Sequence, residues 1–230
     1  MGEGRSYAGQ LEALLRSRAN PEQAAGMEAY MREQFPFLGI KTPEREALTK
    51  VFLKEHGVPS GDTLEEAVRA LWRLPEREFQ YTAMALLDKR RKDAGSARID
   101  LLEELVTAKS WWDTVDLLAA RLIGNHFTLY PEQIPGYTGR WLDSGNLWSQ
   151  RSVLLFQLGY KKRTDTALLF GAIRHCADSK EFFIRKAIGW ALREYSKTDE
   201  AAVRAFVAET PLSPLSVREA LKYADRQGNT

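Results

Sequence analysis

The chain has 230 residues, of which 44% are hydrophobic and 28% charged, and its mean hydropathy is −0.39. These values are typical of a globular protein with its own core, and they exclude a membrane span because no apolar run approaches about 18 residues. The single cysteine, Cys176, excludes a disulfide framework, and the three histidines have no metal-ligand spacing, so we expect a cytoplasmic protein without metal or cofactor.

Apolar residues recur at intervals of three and four along nearly the whole chain, which predicts helices. The first two segments, near Leu11–Leu15 and Ala25–Met31, are predicted to cap the N-terminal end. Later segments of about 10–18 residues alternate with short polar or Pro/Gly breaks. Alternation typical of strands, with hairpin turns, does not occur. The sequence therefore predicts an all-α protein.

The openings of the later helices repeat. Two share the sequence Pro-Glu-Arg-Glu, beginning at Pro43 and Pro75, and a third begins at Ser110, which is predicted to cap its helix together with Asp113. Equivalent positions recur at spacings of 32 to 36 residues, at Ala47, Phe79, Trp112, Trp148, Phe183 and Leu215. Such a period, with two helices per unit, is typical of a HEAT-like solenoid. We expect one domain over residues 1–230, with about six helix pairs between residues 11 and 223 and a concave face.

Basic residues concentrate in the C-terminal half. The segment from Arg140 to Lys197 contains eleven Lys and Arg but only five Asp and Glu, which gives it a net charge of +6, whereas the whole chain carries +2. Three residues after each equivalent position stand Lys50, Thr82, Val115, Arg151, Lys186 and Arg218. Four of these six are basic and are predicted to line one groove, which favours a nucleic acid over the alternative of an ordinary solvated surface.

One carboxylate, Asp116, directly follows the register position Val115. Asp116 lies four residues after Trp112, on the same helix face, and too deep in its helix to act as a cap. The alternatives are a functional carboxylate and a structural ion pair with a groove arginine. A second face carries Lys186, Trp190 and Arg193, and the neighbouring Gly189 indicates either close packing or close approach of a ligand.

Two tryptophans and one carboxylate suit the excision of a cationic alkylated purine. Indole faces attract the cation. The departing base becomes neutral, so no general acid is needed. A carboxylate can stabilise the positive charge that develops on the sugar and can orient a water molecule.

Four segments carry a resemblance to a known family: Phe37–Arg45, Thr107–Asp116, Asn146–Arg151 and Ser179–Tyr195. They resemble segments of bacterial AlkD-type alkylpurine DNA glycosylases, and the resemblance extends from about Leu11 to Tyr223. It implies a HEAT-like fold that cups duplex DNA and removes N3- and N7-alkylated purines without base flipping. It also implies that Asp116 is the catalytic carboxylate and that Trp112 and Trp190 contact the lesion nucleotide.

The resemblance places Arg151 in the DNA groove and Tyr30 near the lesion. Taken together with the basic residues identified above, these give the predicted DNA contacts: Arg151, Lys186, Arg218, Tyr30, Lys50 and Arg193. We expect a monomer that meets nucleoid DNA in a bacterial cytoplasm, with the preferred adduct left open. The alternative functions are a non-catalytic damage-binding protein and a protein-interaction scaffold.

Overall fold

The computed structural model describes residues 2–223 and 225, and over this range the chain is helical and contains no strand. The prediction of an all-α helical-repeat protein is thus confirmed. The chain forms two compact parts, one up to Ala94 and one from Gly95 onward. The single repeat domain across both parts stays a prediction. Among the described residues, no helix is both long and apolar enough to cross a membrane.

Over the described residues 2–94 there are five α-helices and a short 3₁₀ turn. They are α1 (Glu3–Arg16), α2 (Pro21–Tyr30), α3 (Thr42–His56), α4 (Gly61–Arg73) and α5 (Arg77–Lys89), followed by the turn Arg91–Asp93. Helix α4 packs against α1 and α5 and buries Leu64, Val68 and Leu71 completely. The two predicted N-terminal segments correspond to α1 and α2.

The loop between α2 and α3 is held by one buried carboxylate. Glu78 accepts hydrogen bonds from the backbone N–H groups of Leu38, Gly39 and Ile40, at 2.9–3.0 Å. Gly39 has φ +85°, and a Cβ there would lie 2.0 Å from the carbonyl oxygen of Asn20, so only glycine fits. This bonding fixes the segment that resembles the N-terminal signature of the family.

From Gly95 to Tyr223 the structure describes nine further α-helices. They are α6 (Arg98–Thr107), α7 (Trp112–Leu117), α8 (Gly124–Leu129), α9 (Ile134–Asp143), α10 (Leu147–Leu155), α11 (Thr166–Cys176), α12 (Phe182–Ser196), α13 (Glu200–Glu209) and α14 (Pro214–Leu221). Short 3₁₀ turns occupy Pro131–Gln133 and Lys161–Arg163. Helices α7, α10, α12 and α14 pack in this order, each against the next. These are four of the helices predicted to be equivalent.

The predicted helix openings are only partly confirmed. The opening at Pro43 is confirmed, since Pro43 lies in the first turn of α3. Helices α10 and α14 are capped by Asn146 and Ser213, whose side chains accept backbone N–H bonds in the first turn. The prediction for Ser110 is wrong: its hydroxyl donates to the carbonyl oxygen of Val106, and α7 begins after Trp111. Pro75 precedes its helix, which begins at Arg77.

Candidate active site

The backbone that carries Asp116 contains an unusual turn. Helices α7 and α8 are joined by a π-helical segment, Leu118–Ile123, so that helical backbone runs from Trp112 to Leu129. Such insertions rotate the residues before them relative to those after them, and they are frequent at functional sites. Asp116 lies two residues before this segment.

Close contact with α10 follows directly after the π-helical segment. A Cβ on Gly124 would lie 2.4 Å from the carbonyl oxygen of Phe156, and the Tyr160 hydroxyl donates to the carbonyl oxygen of Gly124 at 2.6 Å. The backbone of α8 thus touches the end of α10. Since Arg151 lies on α10, this contact helps to set the distance at which Asp116 and Arg151 meet.

We expect Gly124→Ala to destabilise the protein by about 1–3 kcal/mol, because the added methyl group meets a backbone atom that can move only with its helix. Gly171→Ala is the matched control: it also lies in a helix, but nothing lies within 4 Å of the added Cβ. That change should be neutral or stabilise by about 0.4–1 kcal/mol. Urea unfolding of both variants provides the measurement. Equal stabilities would show that the α8–α10 contact is not tight.

Asp116 and Arg151 form a bidentate ion pair between α7 and α10. Arg151 Nε lies 2.7 Å from Asp116 Oδ1, and Arg151 Nη2 lies 2.8 Å from Asp116 Oδ2. Arg151 Nη1 donates to the carbonyl oxygen of Phe183 on α12. The Arg151 side chain is 5% exposed and the Asp116 side chain 17% exposed. The guanidinium is therefore an internal clamp, while the carboxylate keeps some access to solvent.

Burial controls the ionisation of this carboxylate. Desolvation raises the pKa of Asp116 above its ordinary value, and the nearby charge of Asp113 adds to the rise. The two hydrogen bonds and the positive charge of Arg151 act in the opposite direction. The fraction of Asp116 that is ionised at a given pH therefore depends on Arg151.

An aromatic cluster lies beside Arg151 through one of its rings, Phe183. The ring centroids of Trp111, Trp148 and Phe183 are 5.1–5.8 Å apart, and the Arg151 guanidinium lies 5.8 Å from the Phe183 ring. The indole nitrogen of Trp111 is buried and has no hydrogen-bond partner among the described residues. Sequence reasoning did not assign Trp111 or Phe183 to the site. The signal was present, since Trp148 and Phe183 are equivalent repeat positions and Trp111 directly precedes another.

The two predicted lesion-contacting tryptophans lie on α7 and α12. Trp112 begins α7, Trp190 lies one turn after Lys186, and both side chains are half-buried. Neither is a fully enclosed core residue. A Cβ on Gly189 would lie 2.5 Å from the Cβ of Glu219 and 3.0 Å from the carbonyl oxygen of Ser216. Of the two explanations for this glycine, close helix packing against α14 is confirmed.

The basic residues of the predicted register differ in their surroundings. Lys186 and Arg193 share one carboxylate, Glu219, at 3.0 and 2.6 Å, and the pKa of Glu219 is lowered chiefly by its hydrogen bond with Lys186. Arg218 is exposed and makes no ion pair with a described residue. At the same register, Thr82, Val115 and Arg151 are buried. The six positions that stand three residues after each repeat position therefore do not form a continuous row of exposed charge.

The remaining predicted residues lie in the part up to Ala94. Tyr30, the last residue of α2, is 71% exposed, and Lys50 is exposed on α3. Both are accessible to a ligand, and their roles in DNA binding stay predictions. Among residues 2–223 and 225, no group of three His, Cys, Asp or Glu side chains lies close enough to hold a metal ion.

Comparison with known proteins gives the class of this molecule. The chain belongs to the DNA alkylation repair enzyme family, whose sequence profile matches residues 11–224. It is also similar to a solved structure described as a predicted DNA alkylation repair enzyme from Enterococcus faecalis. The two are 38% identical, the match covers 89% of this chain and 96% of that chain, and the TM-score is 0.83. A comparison with curated proteins gives no match.

Proposed function

We propose that this protein is a monofunctional DNA glycosylase that hydrolyses the N-glycosidic bond of N3- and N7-alkylated purines in duplex DNA and leaves an abasic site. The observation that carries the proposal is the geometry of the Asp116 carboxylate. The buried guanidinium of Arg151 binds both of its oxygens, while part of the carboxylate stays exposed to solvent. A purely structural ion pair does not require a half-buried tryptophan, Trp112, one helical turn before Asp116 on α7.

The chemistry follows from these groups. Alkylation at N3 or N7 makes the purine a cation, so its departure as a neutral base needs no proton donor. The sugar becomes positively charged as the glycosidic bond breaks. Asp116 then stabilises this charge and orients the attacking water. Because Arg151 holds both carboxylate oxygens, the group needs little reorganisation during the reaction.

The proposal extends to the mode of action. The protein acts as a monomer on DNA in the bacterial cytoplasm, without metal or cofactor, and the lesion base stays out of an enclosed pocket. The resemblance to AlkD-type enzymes supports this last point.

The deciding experiment measures free N7-methylguanine released from a methylated duplex by the parent protein and by Asp116→Asn. We expect base release with the product strand intact until alkali cleaves the abasic site. Specific binding of the methylated duplex without base release would favour the non-catalytic damage-binding protein. Absence of both would favour the protein-interaction scaffold.

The tryptophans are expected to favour cationic over neutral purines through their electron-rich faces, an attraction of about 0.5–2 kcal/mol each. Trp112→Ala and Trp190→Ala should therefore slow excision while the protein stays folded. Single-turnover excision and circular dichroism measured on the same samples test this. If Trp190→Ala unfolds the protein, as loss of a core aromatic costing about 3–5 kcal/mol can, then Trp190 is a core residue.

Arg218 is the register residue best placed to contact a phosphate, since it is exposed and no described carboxylate neutralises it. Arg218→Ala should weaken binding to any duplex and lower the salt slope by about 1. Lys186→Ala should have a smaller effect, because Glu219 already neutralises part of the charge there. Fluorescence anisotropy over a salt series measures both, and an Arg218→Ala variant with the parent slope would remove Arg218 from the interface.

A further inference from the structure

One carboxylate on α14 pairs with two cations on α12. Glu219 Oε1 lies 3.0 Å from Lys186 Nζ, and Glu219 Oε2 lies 2.6 Å from Arg193 Nη1. The pKa of Glu219 is lowered, chiefly by its hydrogen bond with Lys186, so the carboxylate is ionised at neutral pH. These three residues, which we call the α12–α14 triad, therefore carry two positive charges and one negative charge.

The triad lies around Trp190. Lys186 and Arg193 are seven residues apart, and Trp190 lies between them on the same face of α12. A Cβ on Gly189 would lie 2.5 Å from the Cβ of Glu219, so α14 places this carboxylate beside the residue that precedes Trp190. The half-buried indole thus has one cation a helical turn before it and another a turn after it, with the carboxylate alongside.

Other charged residues near this face do not balance the two cations. Arg185 and Arg218, which directly precede two members of the triad, add further positive charge. Glu194, one turn after Trp190, pairs with Lys197 at 2.6 Å. Among the described residues, the triad carboxylate is therefore the one that neutralises the cations beside the indole.

This balance matters for a positively charged substrate. An N3- or N7-alkylated purine carries a positive charge, and its sugar gains positive charge as the glycosidic bond breaks. Two uncompensated cations beside the indole would repel this charge and oppose its attraction to the indole face. Because charges interact over several ångströms, the effect acts on a lesion nucleotide that stays stacked in the duplex.

We propose that Glu219 is a specificity-determining residue: by neutralising part of the charge of the other two triad residues, it allows Trp190 to favour a cationic purine over a neutral one. It also weakens the hold of the triad cations on the phosphates of undamaged DNA. The inference rests on the proposed function, since it takes a cationic purine in duplex DNA as the substrate. Glu219 acts through its charge, whereas cleavage of the bond depends on Asp116.

The test compares Glu219→Gln and Lys186→Gln with a matched control, Glu200→Gln, in the full chain. Glu200 is a carboxylate on α13 that pairs with Arg204 and not with the triad. One probe duplex carries 2′-fluoro N7-methylguanosine, a cation whose glycosidic bond resists hydrolysis. The other carries 7-methyl-7-deazaguanosine, a neutral base of the same shape. The ratio of the two Kd values, neutral to cationic, gives the cation preference.

The two triad variants should change the cation preference in opposite directions. Glu219→Gln should lower it about fivefold, because both cations then act on the lesion without a counter-charge. The same variant should bind an unmodified duplex about threefold more tightly, with a salt slope higher by about 0.9. Lys186→Gln removes one repelling cation and should raise the cation preference about fivefold. Glu200→Gln should keep the preference of the parent, and fluorescence anisotropy over a salt series measures all three.

Two results would overturn the inference. The first is a cation preference of Glu219→Gln equal to that of the parent, which would make the triad a structural ion-pair group. The second is a cation preference of Lys186→Gln that is unchanged or lower. If circular dichroism shows that Glu219→Gln does not fold, Lys186→Gln decides alone, since its side chain is 37% exposed and its loss keeps the pair between Glu219 and Arg193. The probes are not hydrolysed, and base release is assayed independently, so failure of the glycosylase proposal and failure of this one are distinguishable.

Discussion

Replacing Asp116 by asparagine is expected to slow excision of N7-methylguanine by at least ~100-fold. This corresponds to about 2.7 kcal/mol of barrier at about 1.36 kcal/mol per decade. Asparagine keeps the shape of the side chain and one oxygen acceptor for Arg151 but removes the negative charge that opposes the developing positive charge on the sugar. Single-turnover base release at saturating protein measures the chemical step without a contribution from affinity.

Binding and folding distinguish a catalytic effect from a structural one in this variant. The charge of Arg151 is no longer balanced after the substitution, so duplex affinity should be kept or slightly increased. Some stability should be lost, because a buried guanidinium then has a neutral partner. Asp113→Asn is the matched control, a neighbouring carboxylate in the first turn of α7. It should alter stability slightly and excision little, and an inactive Asp113→Asn beside an active Asp116→Asn would identify Asp113 as the catalytic carboxylate.

The second large effect is expected for Arg151→Met. This change leaves a mostly buried carboxylate without its partner, and breaking such pairs costs about 3–5 kcal/mol. Asp116 is 17% exposed, so we expect a loss of about 3 kcal/mol, at the lower end of this range. Urea unfolding measures it. The double variant Asp116→Asn, Arg151→Met should recover much of the stability and none of the activity, because no uncompensated charge is left.

The same variant should change the pH dependence of excision. Burial already raises the pKa of Asp116, and Arg151 opposes the rise. Without Arg151 the pKa should rise further, so the excision rate should fall at a higher pH than in the parent as the solution is made more acidic. A carboxyl group with a raised pKa in the folded state binds its proton more tightly than the unfolded chain does. The free energy of unfolding should therefore decrease as pH rises between the ordinary and the raised pKa.

Rate profiles from pH 5 to 9, corrected for spontaneous depurination, test this prediction. An acid limb at the same pH in the parent and in Arg151→Met would show that Arg151 does not control the ionisation of Asp116. Arg151 would then be no more than a structural or DNA-contacting residue. A shifted limb identifies it as a positioning residue that acts through the carboxylate.

The sequence by itself determined the helices and one face of the site. Apolar spacing of three and four is a local property of the chain, so it predicted the all-α class and the repeating units. The four-residue spacing of Trp112 and Asp116 places them on one face of α7 for the same reason. Repeat register also marked Arg151, Lys186 and Arg218 as related positions, although it could not show which of them are exposed.

Only the tertiary structure decided what those residues contact. Asp116 and Arg151 are 35 residues apart, and their pairing depends on the rotation of α7 about its axis and on how closely α10 approaches. The π-helical turn after Leu117 and the tight contact at Gly124 set both, and neither has a signature in hydrophobic periodicity. The same limit applies to Arg45. Its place in the first turn of α3 does not indicate a partner, and only the packing of the helices shows that its guanidinium lies over the Tyr81 ring. Local spacing fixes which residues share a helix face, whereas helix packing decides whether that face meets solvent, a carboxylate or an aromatic ring.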